Sequence, residues 1–298
     1  MKRLLITGGS GFLGSRLTQL ASAPPPGPLP RSDGHTPKEG EGELEVYPTF
    51  FATPIAHSNA IRLDLRDRAW VEKTVRELGP DAIIHQAVSN RTDEHVAAIV
   101  PAARHVADAA IDAHARLIHV STDMVFDGEN PPYTEESPTA PVNPYGAAKA
   151  FAEGLVASMM PEALIVRPSL IYGFDPIDKQ TGWLVDGAKR GETVRLFVDE
   201  FRCPIWVDTL SNALLELAGT KQAGLLNIGG PRLNRWDYGM KMLACLGLTP
   251  GPNVIRSTVA ESGMKRPADL TLDVSKAKRL LRTQLLAVEE AFEVFRHQ

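Results

Sequence analysis

Residues 7–14 read Thr-Gly-Gly-Ser-Gly-Phe-Leu-Gly, and what flanks them narrows the fold more than any other stretch of the chain. The run at 4–7 reads as a short buried strand, and 12–20 as a helix with Leu13, Leu17 and Leu20 on one face. Glycines at 8, 11 and 14 give a G-x-x-G-x-x-G spacing. Gly8 permits a tight strand-to-helix turn, Gly11 lets the backbone approach a pyrophosphate, and Gly14 lets helix and strand pack closely. The first helical turn, with Phe12 and Leu13, then points its free N–H groups and positive dipole end at the phosphates. This strand–turn–helix is expected to bind a dinucleotide.

The first half of the chain repeats that unit. Strands are expected at 43–51, 61–63, 82–85, 117–121 and 164–167, alternating with helix-like stretches, as in βαβ units around a parallel sheet. The expected fold is α/β: a doubly wound parallel sheet of the Rossmann type over 1–172, with 173–298 mainly a small C-terminal substrate lobe that can return strands to the sheet. Residues 208–218 and 236–246 read as helices of that second part. Residues 24–42 hold three consecutive prolines, several glycines and almost no large apolar side chain, which reads as a mobile surface insertion. Pro48 marks the strand around it as irregular or at an edge.

Bulk properties exclude several classes. A formal net charge of −4 with scattered basic residues gives no electrostatic reason for a nucleic-acid or anionic-membrane partner. The two cysteines, Cys203 and Cys245, form no C-x-x-C pair, so neither a metal site nor a disulfide framework is indicated and a reducing compartment fits. The apolar start is too short for a signal-peptide core, and no stretch is long and apolar enough to span a bilayer. A cytoplasmic protein acting on a small molecule is expected, with a homodimer left open.

The dinucleotide's identity rests on three positions. Asp64, before Leu65 at the end of the 61–63 strand, can accept a hydrogen bond from an adenine amino group or cap a helix. No acidic residue stands at the end of the second strand to hold ribose hydroxyls. Arg16, just past the third glycine, could meet a 2′-phosphate, so the reading leans to NADP(H) over NAD(H).

Tyr145 and Lys149 are four apart in a helix that opens after Pro144, and so share a face. A fixed ammonium beside a phenol stabilises the phenolate, lowering its pKa from near 10 toward the working range. Tyr145 can then give a proton to a carbonyl oxygen or take one from an alcohol. Upstream, the expected strand ends in Ser121-Thr122-Asp123, where Thr122 can hydrogen-bond and polarise a substrate oxygen.

Taken together the chain resembles the extended short-chain dehydrogenases/reductases, and among them the dTDP-4-dehydrorhamnose reductase branch. The resemblance is carried by S-T-D-M-V-F-D-G at 121–128, P-Y-T-E-E at 132–136, N-P-Y-G-A-A-K at 143–149, P-I-W-V-D-T-L at 204–210, and R-P at 266–267 with L-D-V-S-K at 272–276. It covers nearly the whole chain apart from 24–42. It implies that Thr122, Tyr145 and Lys149 are catalytic, that Gln86 and Ala87 lie along the cofactor, and that Asp123 and Met124 shape the sugar site. Arg202 and Arg266 would meet the diphosphate or sugar of a nucleotide-linked substrate, since guanidinium forks suit such oxyanions. Met124 stands where related dehydratases carry Glu, which argues against dehydration. The reductase branch often has Tyr at that position and Trp where this chain has Leu170, which bears on the sugar taken rather than on hydride transfer. His85 reads as a strand-end side chain satisfied locally rather than a proton relay. The implied activity is NAD(P)H-dependent reduction of a keto group, most simply on a nucleotide-activated 4-keto-deoxysugar. The alternatives are a nucleotide-sugar epimerase that retains NAD and a non-catalytic NAD(P)-binding regulatory subunit.

Overall fold

The computed structural model describes residues 1–23, 44–87 and 92–298. The insertion expected at 24–42 lies outside the described residues. Seven strands form one parallel sheet: β1 (Arg3–Thr7), β2 (Glu45–Phe50), β3 (Ile61–Arg62), β4 (Ala82–His85), β5 (Arg116–Val120), β6 (Leu164–Pro168) and β11 (Gly224–Ile228), in the order β11-β6-β5-β4-β1-β2-β3. The intervening short strands β7–β10 are described below with the lobe.

The parity of the buried residues explains the two helical layers. Leu4 and Ile6 of β1 pack with α1 (Phe12–Ser22), through Leu13 and Leu17, and with α7 (Val207–Ala218), through Leu210 and Leu214. Leu5 points the other way. It joins Val71 and Val75 of α2 (Arg68–Leu78), Val106 and Ala110 of α4 (Ile99–Asp112), and Ala152 and Val156 of α5 (Pro144–Met159); the short α3 (Asp93–Ala97) precedes α4. The same alternation runs through Ile83/Ile84 and Leu117/Ile118. Strands buried on both faces read as continuous apolar runs, and covering both faces makes the sheet doubly wound.

Pro48 sits in β2, which is not the edge; β3 is. Thr49 O accepts from Gly9 N on the β1 side and Phe50 O accepts from Leu63 N on the β3 side. The Pro48 nitrogen therefore turns toward β3, ahead of the point where β3 begins to pair at Thr49. A missing N–H costs nothing there.

The second half builds a lobe from three two-stranded sheets. β7 (Ile171–Tyr172) pairs with β10 (Ile205–Trp206), β9 (Phe201–Arg202) with β12 (Leu233–Asn234), and β8 (Val194–Phe197) with β13 (Val254–Ser257). Helices α6 (Lys179–Arg190) and α8 (Arg235–Cys245) pack against β8. Since β11 and α7 return to the sheet, a cut at 172/173 separates sequence halves but not structural layers. No helix among the described residues is long and apolar enough to cross a membrane.

Candidate active site

The glycine turn is built as the spacing predicts. Gly8 takes φ +75°, and a Cβ there would fall 2.7 Å from the Ala87 Cα. A Cβ at Gly14 would fall 2.2 Å from the Gly8 carbonyl oxygen and 2.3 Å from Gln86 Nε2. Gly11 differs. A Cβ there would meet the Gly8 oxygen at 3.3 Å and Gln86 Oε1 at 4.0 Å, a tight contact but far milder than the overlaps at Gly8 and Gly14. Gly11 is also the N-cap of α1, with no side chain capping the helix and no acid in its first turn. Among the described residues no side chain caps the first-turn donors, which leaves them for an acceptor such as a pyrophosphate. The residues present fit a dinucleotide.

The surrounding positions divide. The Gln86 side chain donates to Thr7 O (2.7 Å) and Gly8 O (2.6 Å), and Ala87 N donates to Thr7 Oγ1 at 3.3 Å. Both brace the turn from beneath. Asp64 accepts from Arg66 on both oxygens, at 2.8–3.2 Å, and Arg66 holds its carboxyl below the ordinary value. The helix cap of α2 is Asp67, which accepts from Trp70 N, so Asp64 does not serve as one. The Leu65 carbonyl accepts from His105 Nδ1 at 2.9 Å. Arg16, expected near a 2′-phosphate, has its Nε and Nη2 in a fork, 2.5 Å each, on Asp208 of α7, and its Nη1 reaches Gln19. That pairing ties α1 to α7.

The catalytic candidates meet at the carboxyl edge of β5. Thr122 caps a short 3₁₀ turn (Asp123–Val125), accepting from Met124 N at 3.2 Å. Helix α5 opens with Asn143 as its cap, accepting from Gly146 N at 2.8 Å. A Cβ at Gly146 would fall 2.1 Å from Met124 O, so only glycine lets α5 press its first turn onto the Thr122 turn. This brings Tyr145 beside Thr122. Burial pushes the Tyr145 phenol up to about 12, Asp123 adds to that, and the Thr122 hydroxyl and Arg202 oppose it. Lys149 follows one turn on, 1% exposed, with Nζ donating to Val120 O at 2.7 Å.

Here the structure departs from the sequence expectation. Burial pushes Lys149 down to about 7, and the cation acting on the Tyr145 phenol is Arg202. Desolvation outweighs what a bare Y-x-x-x-K spacing promises. His85 is fully buried, exchanges a hydrogen bond with Thr7 Oγ1 at 2.8 Å, and is held down at about 3 by burial and by Lys149. It stays neutral and satisfied. Its neighbour His119, 5.2 Å away ring to ring, has no partner on either nitrogen, nor does the Ser121 hydroxyl.

Asp123 and Arg202 also take different places from those expected. Asp123 is 0% exposed. It accepts from Arg202 Nε (2.8 Å) and Nη2 (2.6 Å), from Ser169 Oγ (2.7 Å), and from Thr122 Oγ1 at 3.4 Å. Arg202 turns its fork inward to this carboxylate rather than outward to a diphosphate, because a buried charge needs a partner. Met124 packs on the Val125–Phe126–Tyr133 cluster, and Leu170 is buried in the sheet core.

Residues 1–297 match the RmlD substrate binding domain family. The chain belongs to that family. It is 28% identical to the probable low-salt glycan biosynthesis reductase Agl14 of Haloferax volcanii, over 96% of this chain and 97% of that protein. It is 30% identical to the dTDP-4-dehydrorhamnose reductase of Streptomyces griseus, over 78% of this chain and 73% of the relative. Among solved structures, a hypothetical dTDP-4-dehydrorhamnose reductase from Sulfolobus tokodaii superposes with a TM-score of 0.77 at 29% identity, covering 97% and 98% of the two chains.

In this RmlD-family chain the lobe adds groups the sequence reading missed. A cavity of about 550 Å³ opens between α6, β8 and α8 and is lined by Lys179, Arg195 and Arg235, with Trp183, Phe197 and Arg266 among the others. Arg266 is the one expected substrate residue found there; it pairs with Glu200 at 3.0 Å and lies 5.5 Å from the Phe197 ring centroid. Arg235 Nη1 is buried with no partner. No local motif announces Lys179, Arg195 and Arg235, which come from three separate elements, α6, β8 and α8.

Proposed function

We propose that this RmlD-family chain is an NAD(P)H-dependent reductase of a keto group on a nucleotide-activated 4-keto-deoxysugar. The observation that carries the reading is the meeting of the Thr122 and Tyr145 hydroxyls at the sheet's carboxyl edge, the edge onto which the uncapped α1 also opens. Ligands of open α/β sheets sit along that edge. The first turn of α1 holds the pyrophosphate through its N–H groups, with Gly11 giving clearance. A bound reduced nicotinamide dinucleotide supplies the hydride.

The protein's own groups do the rest. Tyr145 carries its proton at neutral pH and is the group placed to give it to a forming alkoxide; its raised pKa is a cost that charge from a bound cofactor and from Arg202 would have to offset. Thr122 directs its hydroxyl at the substrate oxygen and polarises it. Lys149, fixed on Val120 O, can become charged at near-neutral pH and so follow charge as it develops nearby. The lobe cavity, with four cations and two aromatic rings, matches the anionic and planar parts of a nucleoside diphosphate. NADP(H) is the favoured cofactor because the chain after β2, Phe51-Ala52-Thr53, offers no carboxylate to ribose hydroxyls.

The test follows absorbance at 340 nm with NADPH or NADH and a panel of nucleotide 4-keto-sugars. Oxidation that falls by about 10³-fold or more in Tyr145→Phe supports the reading. Cofactor binding with no oxidation across the panel defeats it.

A further inference from the structure

The Asp123–Arg202 pair joins two parts of the molecule that the mechanism treats separately. Asp123 follows Thr122 in the catalytic turn, whereas Arg202 belongs to β9 in the lobe, 79 residues away. Around the pair the contacts continue in both directions. Ser169 Oγ donates to Asp123 at 2.7 Å and accepts from Cys203 N at 3.0 Å, so the residue after Arg202 is fastened to the same carboxylate through one hydroxyl. On the other side, Phe126 N donates to Asp123 O, and Gly146 packs on Met124 O. A rigid path therefore runs from the lobe strand through a buried ion pair to the turn that carries Thr122 and supports Tyr145.

We propose that Arg202 is a positioning residue that, through its two-pronged grip on Asp123, fixes the Thr122 turn against Tyr145 and so makes catalytic geometry depend on the seating of the lobe. The inference rests on the reductase reading for its kinetic part only. It differs from a substrate-contact role because two of the three guanidinium nitrogens, Nε and Nη2, are engaged by Asp123 in a largely buried side chain. A bidentate fork suits the task, since it fixes orientation as well as distance. The charged and titratable groups around the phenol are Asp123 on the turn, Lys149 on α5 and Arg202 on β9. His85 and His119 stand in the field of Lys149, and Glu153 is paired with Arg167. Losing Arg202 removes one cation near Tyr145 and leaves Asp123 unbalanced, and both changes favour the protonated phenol.

The experiment compares wild type, Arg202→Met, Arg202→Lys and Asp123→Asn/Arg202→Met. The double variant leaves no buried charge unpaired and serves if Arg202→Met does not fold. Hydrogen exchange of the 122–128 segment, measured without any sugar, is expected to quicken by about tenfold in the Met variants. In the reductase assay kcat is expected to fall on the order of 100-fold in Arg202→Met, with KM for the sugar within about threefold. Arg202→Lys, which keeps a cation on Asp123, restores part of kcat and part of the slow exchange at 122–128. An arginine that served only global stability would leave exchange at 122–128 no faster than in the rest of the sheet. Unchanged exchange overturns the proposal, as does a rise in KM with kcat preserved, which would make Arg202 a substrate contact. If wild type itself reduces no sugar, the reductase reading fails, while exchange at 122–128 still decides the role of Arg202.

Discussion

The turn that opens α1 and the junction of Asp123 with Arg202 lie at the same edge of the sheet and are finished in opposite ways. At α1 the first-turn N–H donors have no capping side chain, and a Cβ on the glycine before them would press on a single backbone oxygen, at 3.3 Å. At Asp123 every partner is internal: two arms of an arginine and the hydroxyls of Ser169 and Thr122, on a carboxylate with no exposed surface. Unsatisfied groups with clear approach mark where a ligand completes the structure. Saturated buried charges mark where the structure holds itself in register. Residue type alone does not tell the two apart, because an arginine or an aspartate serves either purpose.

The comparison can be broken at the glycines. Gly14→Ala would drive a Cβ into the Gly8 carbonyl at 2.2 Å, and a backbone oxygen cannot step aside. Overpacking of that kind costs about 1–3 kcal/mol and lowers Tm by about 5 °C. Gly11→Ala meets nothing closer than 3.3 Å at an alanine-compatible φ of −78°. Its Tm should fall by well under half of the Gly14→Ala drop while NADPH affinity, by calorimetry, drops about tenfold or more. Should Gly11→Ala bind NADPH as wild type does, the open reading of this turn is wrong and the glycine serves the fold.

The sheet and the lobe were unequally legible in the sequence. Strands such as Ala82–His85 declare themselves as runs buried on both faces, and the helices read at 12–20, 208–218 and 236–246 form at Phe12–Ser22, Val207–Ala218 and Arg235–Cys245. Tyr145 and Lys149 follow from helical spacing in a helix that Pro144 opens. The lobe strands β7, β9, β10 and β12 are two residues each, too short for any periodicity to show. The partners of Arg16 and Arg202 lie 192 and 79 residues away, so where each guanidinium points is decided by tertiary packing. Nor does Y-x-x-x-K say that the lysine will be sealed from water, which is what sets its charge.

That sealing sharpens the comparison through pH. Lys149 titrates at about 7 in the folded protein against 10.5 ordinarily, so both forms are charged below 7 and the full burial cost applies there. Between 7 and 10.5 the unfolded chain holds a proton that the folded chain lacks, and stability rises with pH. Urea unfolding at pH 7 and pH 9 should show wild type gaining on the order of 1–2 kcal/mol relative to Lys149→Met. The upper limit is kept at 9 because Cys203, pushed up to about 11 by burial, acts in the opposite sense above it. A wild-type curve parallel to that of Lys149→Met would mean the amine keeps its proton on folding.

The smallest expected effect concerns Arg16. Its fork on Asp208 is part-buried, with side chains 17% and 4% exposed, so the single variant Arg16→Met would strand a buried carboxylate and confuse stability with binding. The double variant Arg16→Met/Asp208→Asn removes both charges together. If the pair is a structural tie between α1 and α7, the ratio of KM for NADH to KM for NADPH should stay within about twofold of wild type, because a contact absent in both complexes cannot discriminate between them. A fall in that ratio of about tenfold or more would mean that the pair opens on binding and the arginine reaches the 2′-phosphate, since a charge-assisted contact to phosphate is worth about 1.5–3 kcal/mol. In that event α1 would carry a second ligand-facing group. The contrast between an open turn and a closed junction would then describe a state of the protein that its cofactor alters.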